Sequence, residues 1–141
     1  MTAADEMAHF GPKSLERLLT CHPDLRRLFL RVVERVDCTI LEGHRGEEAQ
    51  KEAYRDGRSQ ITWPHSTHNF MPSLGVDAAP YHPTPPHVRW VDPETWYWFG
   101  GYVKGVADEM DIEIRWGGDW QGDHDLHNST LVDLPHWEIP E

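Results

Sequence analysis

Hydrophobic periodicity is clearest between Asp24 and Val36, where Leu25, Leu28, Phe29, Val32, Val33 and Val36 recur at spacings of three and four. Arg26, Arg27, Arg31, Glu34 and Arg35 fall on the opposite side, so the spacing predicts an amphipathic helix opening at Asp24. Upstream, residues 1–12 read as a loose start, and Ser14 can cap a short helix through Leu18 and Leu19 with Glu16 in its first turn. Residues 38–41 are short, β-branched and bounded by Gly43, as a strand is. Helix formers return over 46–55 and stop at Asp56-Gly57. Residues 58–73, broken by Pro64 and Pro72, predict a loop. A second strand is expected over 74–78, followed by a proline-rich connection over 80–93. Pro93 then suits the first turn of a long helix through Met110, with Asp92 as its cap. Residues 112–116 alternate apolar and charged, which predicts a half-buried strand. A polar loop over 117–130 and a last strand over 136–139 complete the pattern. Helices come first and strands accumulate later. The expected fold is α+β, with N-terminal helices packed on a small, mainly antiparallel sheet.

Length and composition narrow this further. A chain of 141 residues suits one domain over 1–141 with one core, and seven Trp, four Tyr and four Phe give it large buried area per residue. The formal charge of -11 excludes a nucleic-acid binder, since a phosphate backbone calls for clustered Lys and Arg. It also gives no electrostatic help at an anionic membrane or wall. Cys21 and Cys38 have neither CxxC spacing nor the count of a disulfide framework, and read as buried free thiols. There is no basic, then apolar N-terminal segment and no run near the ~18 apolar residues of a membrane helix. The expectation is a monomer made soluble in the cytosol, without membrane insertion.

The chemistry lies in two stretches. The first runs Ser66-Thr67-His68-Asn69-Phe70-Met71-Pro72-Ser73-Leu74-Gly75-Val76-Asp77, and the second is Asp133-Leu134-Pro135-His136-Trp137-Glu138. His68, Asp77 and His136 offer two neutral imidazoles and a carboxylate, a set that Zn²⁺ accepts tetrahedrally while keeping a fourth position for water. Asp133, three residues before His136, can serve as general base toward that water. On extended backbone positions 133 and 136 face opposite sides, so a bend must bring them together, and Pro135 is placed to fix one. With ten histidines in the chain, spacing alone leaves other ligand pairs open: His124 with His127, and His82 with His87.

Ser66-x-His68, then Asp77, then Asp133-x-x-His136-Trp137 resembles the zinc peptidase family of bacterial DD-carboxypeptidases, D-alanyl-D-alanine dipeptidases and phage L-alanyl-D-glutamate endolysins. The segment Gly43-His44-Arg45-Gly46-Glu47-Glu48-Ala49-Gln50 is similar to that family's upstream Arg-and-Gln segment, so the resemblance spans roughly residues 36 to 138. It implies zinc ligands at His68, Asp77 and His136, a catalytic acid/base at Asp133, and an oxyanion-stabilising guanidinium at Arg45. It places Ser66 and Gln50 at the rim of the site. The sequence departs from the family where residues 69–73 lengthen the His68-to-Asp77 interval and Gly75 replaces a customary Ala.

The acidic, aromatic loop 117–128 precedes Asp133 and is expected to border the cleft, with Trp120 touching substrate. Its Asp119, Asp123 and Asp125 could instead hold Ca²⁺, although the Gly and terminal Glu of an EF-hand loop are missing. The resemblance therefore implies a zinc-dependent endolysin that cuts bacterial peptidoglycan between L-Ala and D-Glu after the membrane is permeabilised. The alternatives are a D-Ala-D-Ala carboxypeptidase or dipeptidase and a non-catalytic metal-binding recognition module.

Overall fold

The computed structural model describes residues 8–126 and 132–140. Helices α1 (Pro12–Leu18) and α2 (Pro23–Val33) lead into strand β1 (Cys38–Glu42) and helix α3 (Glu47–Arg55). A single 3-10 turn, Thr67–Asn69, precedes strand β2 (Gly75–Pro80). Helix α4 (Pro93–Glu109) and strands β3 (Arg115–Trp116) and β4 (His136–Glu138) follow. The strands form one antiparallel sheet in the order β1-β2-β4-β3, which bears out the α+β expectation.

Alternation along the strands separates a core face from a site face. Ile40, Val76, Ala78, Trp116 and Trp137 join Leu25, Leu28, Phe29, Val32 and Val33 of α2 and Phe99, Val103 and Ala107 of α4 in one buried cluster. Trp116 and Trp137 are register partners on β3 and β4, and their rings stack at 5.3 Å, with Phe29 edge-on to Trp137 at 6.3 Å. Gly100 lets α4 approach this pair, since a Cβ there would run into the Trp116 ring. The helix pattern read around Leu25 to Val33 is thus the face that meets the sheet. Cys21 and Cys38 are buried free thiols, and burial pushes the Cys21 thiol up to about 11.

Three local expectations change. Ser14 does not cap α1: Gly11 is the cap, and the helix already begins at Pro12 within the stretch expected to be loose. Ser14 instead lies buried and accepts from the Ile40 N–H at 3.0 Å, tying α1 to β1. Asp92 holds the N-cap position of α4 but accepts from the Thr95 hydroxyl at 2.9 Å, not from the helix backbone. The strand expected over 112–116 shrinks to Arg115–Trp116 because Ile112, just past α4, folds back onto the end of that helix. Asp111 adopts φ 57, and the N–H groups of Asp111 and Ile112 return to the carbonyls of Asp108 and Ala107. This is a Schellman closure in which an apolar residue just past the helix folds back onto it. The apolar-charged alternation therefore mixed two causes.

Candidate metal centre and its cleft

The sheet register assembles the site. Asp77 on β2 is the direct cross-strand partner of His136 on β4, so residues 59 apart in sequence face each other on the side away from the helices. His68 arrives on the 3-10 turn, which Ser66 caps by accepting from the His68 N–H at 3.2 Å. Asn69 closes the capping box, its Oδ1 accepting from the Ser66 N–H at 3.0 Å. The lengthened interval after His68 is thus a knitted segment: Ser73 donates its hydroxyl to the Gly75 carbonyl at 2.6 Å, and its N–H reaches the Thr20 carbonyl. Gly75 is required by close approach, because a Cβ would press on Thr67 Oγ1, His136 Cε1 and the His68 nitrogen.

Among the described residues, His68, Asp77 and His136 form a group whose ligand atoms all lie within 4.8 Å of one another. Asp77 Oδ1 stands 3.2 Å from both His68 Nε2 and His136 Nδ1. The rear nitrogens are held as well: His68 Nδ1 lies 2.7 Å from the Gly43 carbonyl, and His136 Nε2 lies 2.7 Å from Glu138 Oε1. Burial works against the charge on Asp77, but hydrogen bonds from His136 and His68 outweigh it and hold the carboxyl well below the usual carboxylate range. For His136 burial disfavours the cation, yet the bonds to Asp77 and Glu138 prevail and push its pKa up to about 9. Two imidazole nitrogens, one ionised oxygen and fixed rear partners make a donor set suited to a metal ion.

Asp133 is brought beside this group by the bend expected at Pro135: the His136 N–H returns to the Asp133 carbonyl at 3.1 Å, and the Asp133 N–H binds the Gly117 carbonyl at 2.9 Å. Asp133 keeps part of its surface exposed while neighbouring protein desolvates its carboxyl. Burial, then the Asp77 charge, raises its pKa above the ordinary 3.8, against the pull of His136, His68 and Arg45. Arg45 is buried, with its Nε and Nη2 on the two Glu42 oxygens at 2.8 and 2.9 Å and its Nη1 on Gln50 Oε1 at 2.8 Å. Desolvation opposes its charge, but Glu42, Asp77 and Asp133 together keep the guanidinium protonated.

The remaining sequence candidates separate. Gln50 is wholly buried, not at the rim: its amide serves Arg45, Asn69 and the Ile61 carbonyl, because an unpaired buried amide would be costly. Ser66 is also buried, as the cap of the His68 turn. Trp120 stands at the site, its ring 5.6 Å from that of His136. Asp119 turns inward and, through Oδ2, pairs with Lys104 Nζ at 2.8 Å while accepting from the His124 N–H at 3.0 Å. His87 bonds the His82 carbonyl through Nδ1 and stacks on Tyr81, an arrangement separate from the metal-capable group. His127 lies outside the described residues, as do residues 1–7. The sequence reading did not single out Glu42 or Glu138. Glu138 was detectable in principle as the residue two after His136, hence on the same strand face. Glu42 comes level with Asp77 only through a bulge between Ile40 and Glu42.

Helices over one face of an antiparallel sheet, with a two-histidine, one-carboxylate group on the other and Asp133 beside it, define a hydrolase-type centre able to hold a metal. A model of the phage L-alanyl-D-glutamate peptidase family matches residues 7–139, and the chain belongs to that family. It is 27% identical over 121 residues to the L-alanyl-D-glutamate peptidase of Escherichia phage T5, covering 84% of this chain and 86% of that protein. It also resembles the crystal structure of the Serratia marcescens L-Ala D-Glu endopeptidase ChiX, with a TM-score of 0.73 and 27% identity over 99% of this chain and 96% of that one.

Proposed function

We propose that the chain is a zinc-dependent peptidoglycan peptidase that hydrolyses the bond between L-alanine and D-glutamate in cell-wall stem peptides. The observation that carries this is the convergence of His68, Asp77 and His136 in a member of the phage L-alanyl-D-glutamate peptidase family. The L-Ala–D-Glu peptidase activities of the phage T5 and Serratia relatives support the choice of bond. Two nitrogens and one oxygen suit zinc better than calcium or magnesium, which favour all-oxygen shells. Zinc, when bound, polarises the scissile carbonyl and lowers the pKa of its water to about 7.

The protein's own groups complete the reaction. Asp133, with its pKa raised by burial and by Asp77, takes the water's proton and returns it to the leaving amine of D-glutamate. Arg45, its plane fixed by Glu42 and Gln50, supplies positive charge to the oxygen that becomes negative. Trp120 forms a wall against which the peptide lies, and Ser66 acts by holding the His68 turn. Residues 1–141 act as one monomeric peptidase domain that meets its polymer once the membrane is permeabilised. No described helix is long and apolar enough to cross a membrane.

The test is end-group analysis of purified peptidoglycan after digestion. A new D-Glu amino terminus without free D-alanine is expected, abolished by a chelator and restored by zinc. Free D-alanine with no new Glu terminus would put the carboxypeptidase reading in its place.

A further inference from the structure

The two histidines of the centre are held from behind by different chemistry. Behind His68 stands a neutral backbone carbonyl, that of Gly43. Behind His136 stands a side-chain carboxylate. His136 turns Nδ1 toward Asp77, so Nε2 points away from the ligand cluster and meets Glu138 Oε1. Strand alternation places residues 136 and 138 on one face of β4. Glu138 is itself oriented twice: Arg115 Nη1 donates to its Oε2 at 3.3 Å, and Thr67 Oγ1 donates to its Oε1 at 3.5 Å. Thr67 Oγ1 also lies 3.4 Å from His136 Nε2. Gly75, the cross-strand partner of Glu138, leaves the room in which Thr67 and the His136 ring come together.

We propose that Glu138 is a positioning residue of the metal centre, fixing His136 with its proton on Nε2 and the Nδ1 lone pair toward the metal, and that Arg115 and Thr67 hold Glu138 for this task. This rests on the metallopeptidase reading above. A hydrogen bond to an ionised acceptor is roughly twice as strong as a neutral one, so Glu138 holds the His136 ring more firmly than the Gly43 carbonyl holds that of His68. Its place behind the ring, away from Asp77, distinguishes it from a fourth ligand. The centre thus has one rear partner that no side-chain substitution can remove, Gly43, and one that substitution can tune.

The experiment measures zinc affinity by competition with a chromogenic chelator for the wild-type protein, E138A, E138Q and R115A, each checked for fold by its zinc-free melting curve. E138A is expected to bind zinc about 10- to 100-fold more weakly, the range for losing such a rear partner. E138Q should fall between E138A and wild type, because its amide oxygen still accepts from Nε2–H without the charge. R115A, which leaves the Glu138–His136 bond in place, should lose less than E138A. Nitrogen-15 shifts of His136 in the zinc-loaded protein should show a metallated Nδ1 and a protonated Nε2. A merely structural Glu138 would lower the melting temperature and leave the zinc affinity of the folded protein unmoved. The proposal is overturned if E138A, or E138Q where E138A does not fold, binds zinc as tightly as wild type, or if His136 carries zinc on Nε2. If the wild type takes up no zinc, the metallopeptidase reading fails and takes this one with it. If wild type and variants bind equally, this one fails alone.

Discussion

Asp77 faces both imidazoles through a single oxygen, with nothing in the sequence between residues 77 and 136 to announce the meeting. At this scale the roles divide cleanly under substitution. H68A, D77A and H136A should each lose bound zinc and lytic activity together, read by elemental analysis beside a turbidity assay. D133A should keep its zinc and its fold while turnover falls by roughly 10²–10⁴, the range for a lost general acid/base. Zinc loss in D133A would instead make Asp133 a ligand. The His136 proton gives a second prediction. Without a metal, this imidazole keeps its proton up to about 9, so a metal must displace it. Zinc affinity should therefore climb by about tenfold per pH unit below that value and level off above it. For the fold of the zinc-free protein the sign is opposite. The folded pKa lies above the ordinary 6.5, so the contribution is fully present below 6.5 and disappears as the pH rises through about 9. Calorimetry of metal-free protein across that window, and titration of zinc at several pH values, check the two halves separately.

The elements were legible where one cause shaped the pattern. The core-facing stripe of α2, the strand at Cys38 and the proline start of α4 each follow from periodicity or a breaker, and the structure places them there. Legibility failed where a tertiary partner changed a residue's task. Ser14 looked like a cap and became a tie to β1, and Gln50, expected at the rim of the site, became the buried anchor of Arg45. The trio that could hold a metal was readable from residue type and motif order. Its geometry was not, because the pairing of Asp77 with His136 is a matter of strand register. Gly75 marks the same limit: in the sequence it is a departure from the family, and in the structure it is the space beneath Thr67 and His136. G75A should therefore destabilise the domain by about 1–3 kcal/mol through overpacking and weaken zinc binding. Denaturant unfolding and chelator competition measure the two effects, and an unchanged pair would mean the turn can shift without cost.

Taken whole, the molecule carries a formal charge of -11 and acts on a polymer found in anionic walls. Approach is then opposed by repulsion over a distance that salt sets. Between about 0.01 M and about 0.15 M ionic strength the screening length falls from about 30 Å to about 8 Å. The lytic rate on intact walls should rise over this range, while the rate on a short neutral stem peptide should hardly change. A fall with salt on walls would mean that a local basic contact, not net charge, governs association.

The place of β4 has one more consequence, for biosynthesis. The last strand in sequence is inserted between β2 and β3 and delivers His136, while His68 and Asp77 are translated far earlier. A nascent chain therefore carries two of the three residues of the metal-capable group and a sheet with its middle missing until residues 136–138 leave the ribosome. Hydrolysis is therefore expected only once β4 is in place, and a chain stalled or clipped upstream of it should be an inert product and not a loosely regulated enzyme.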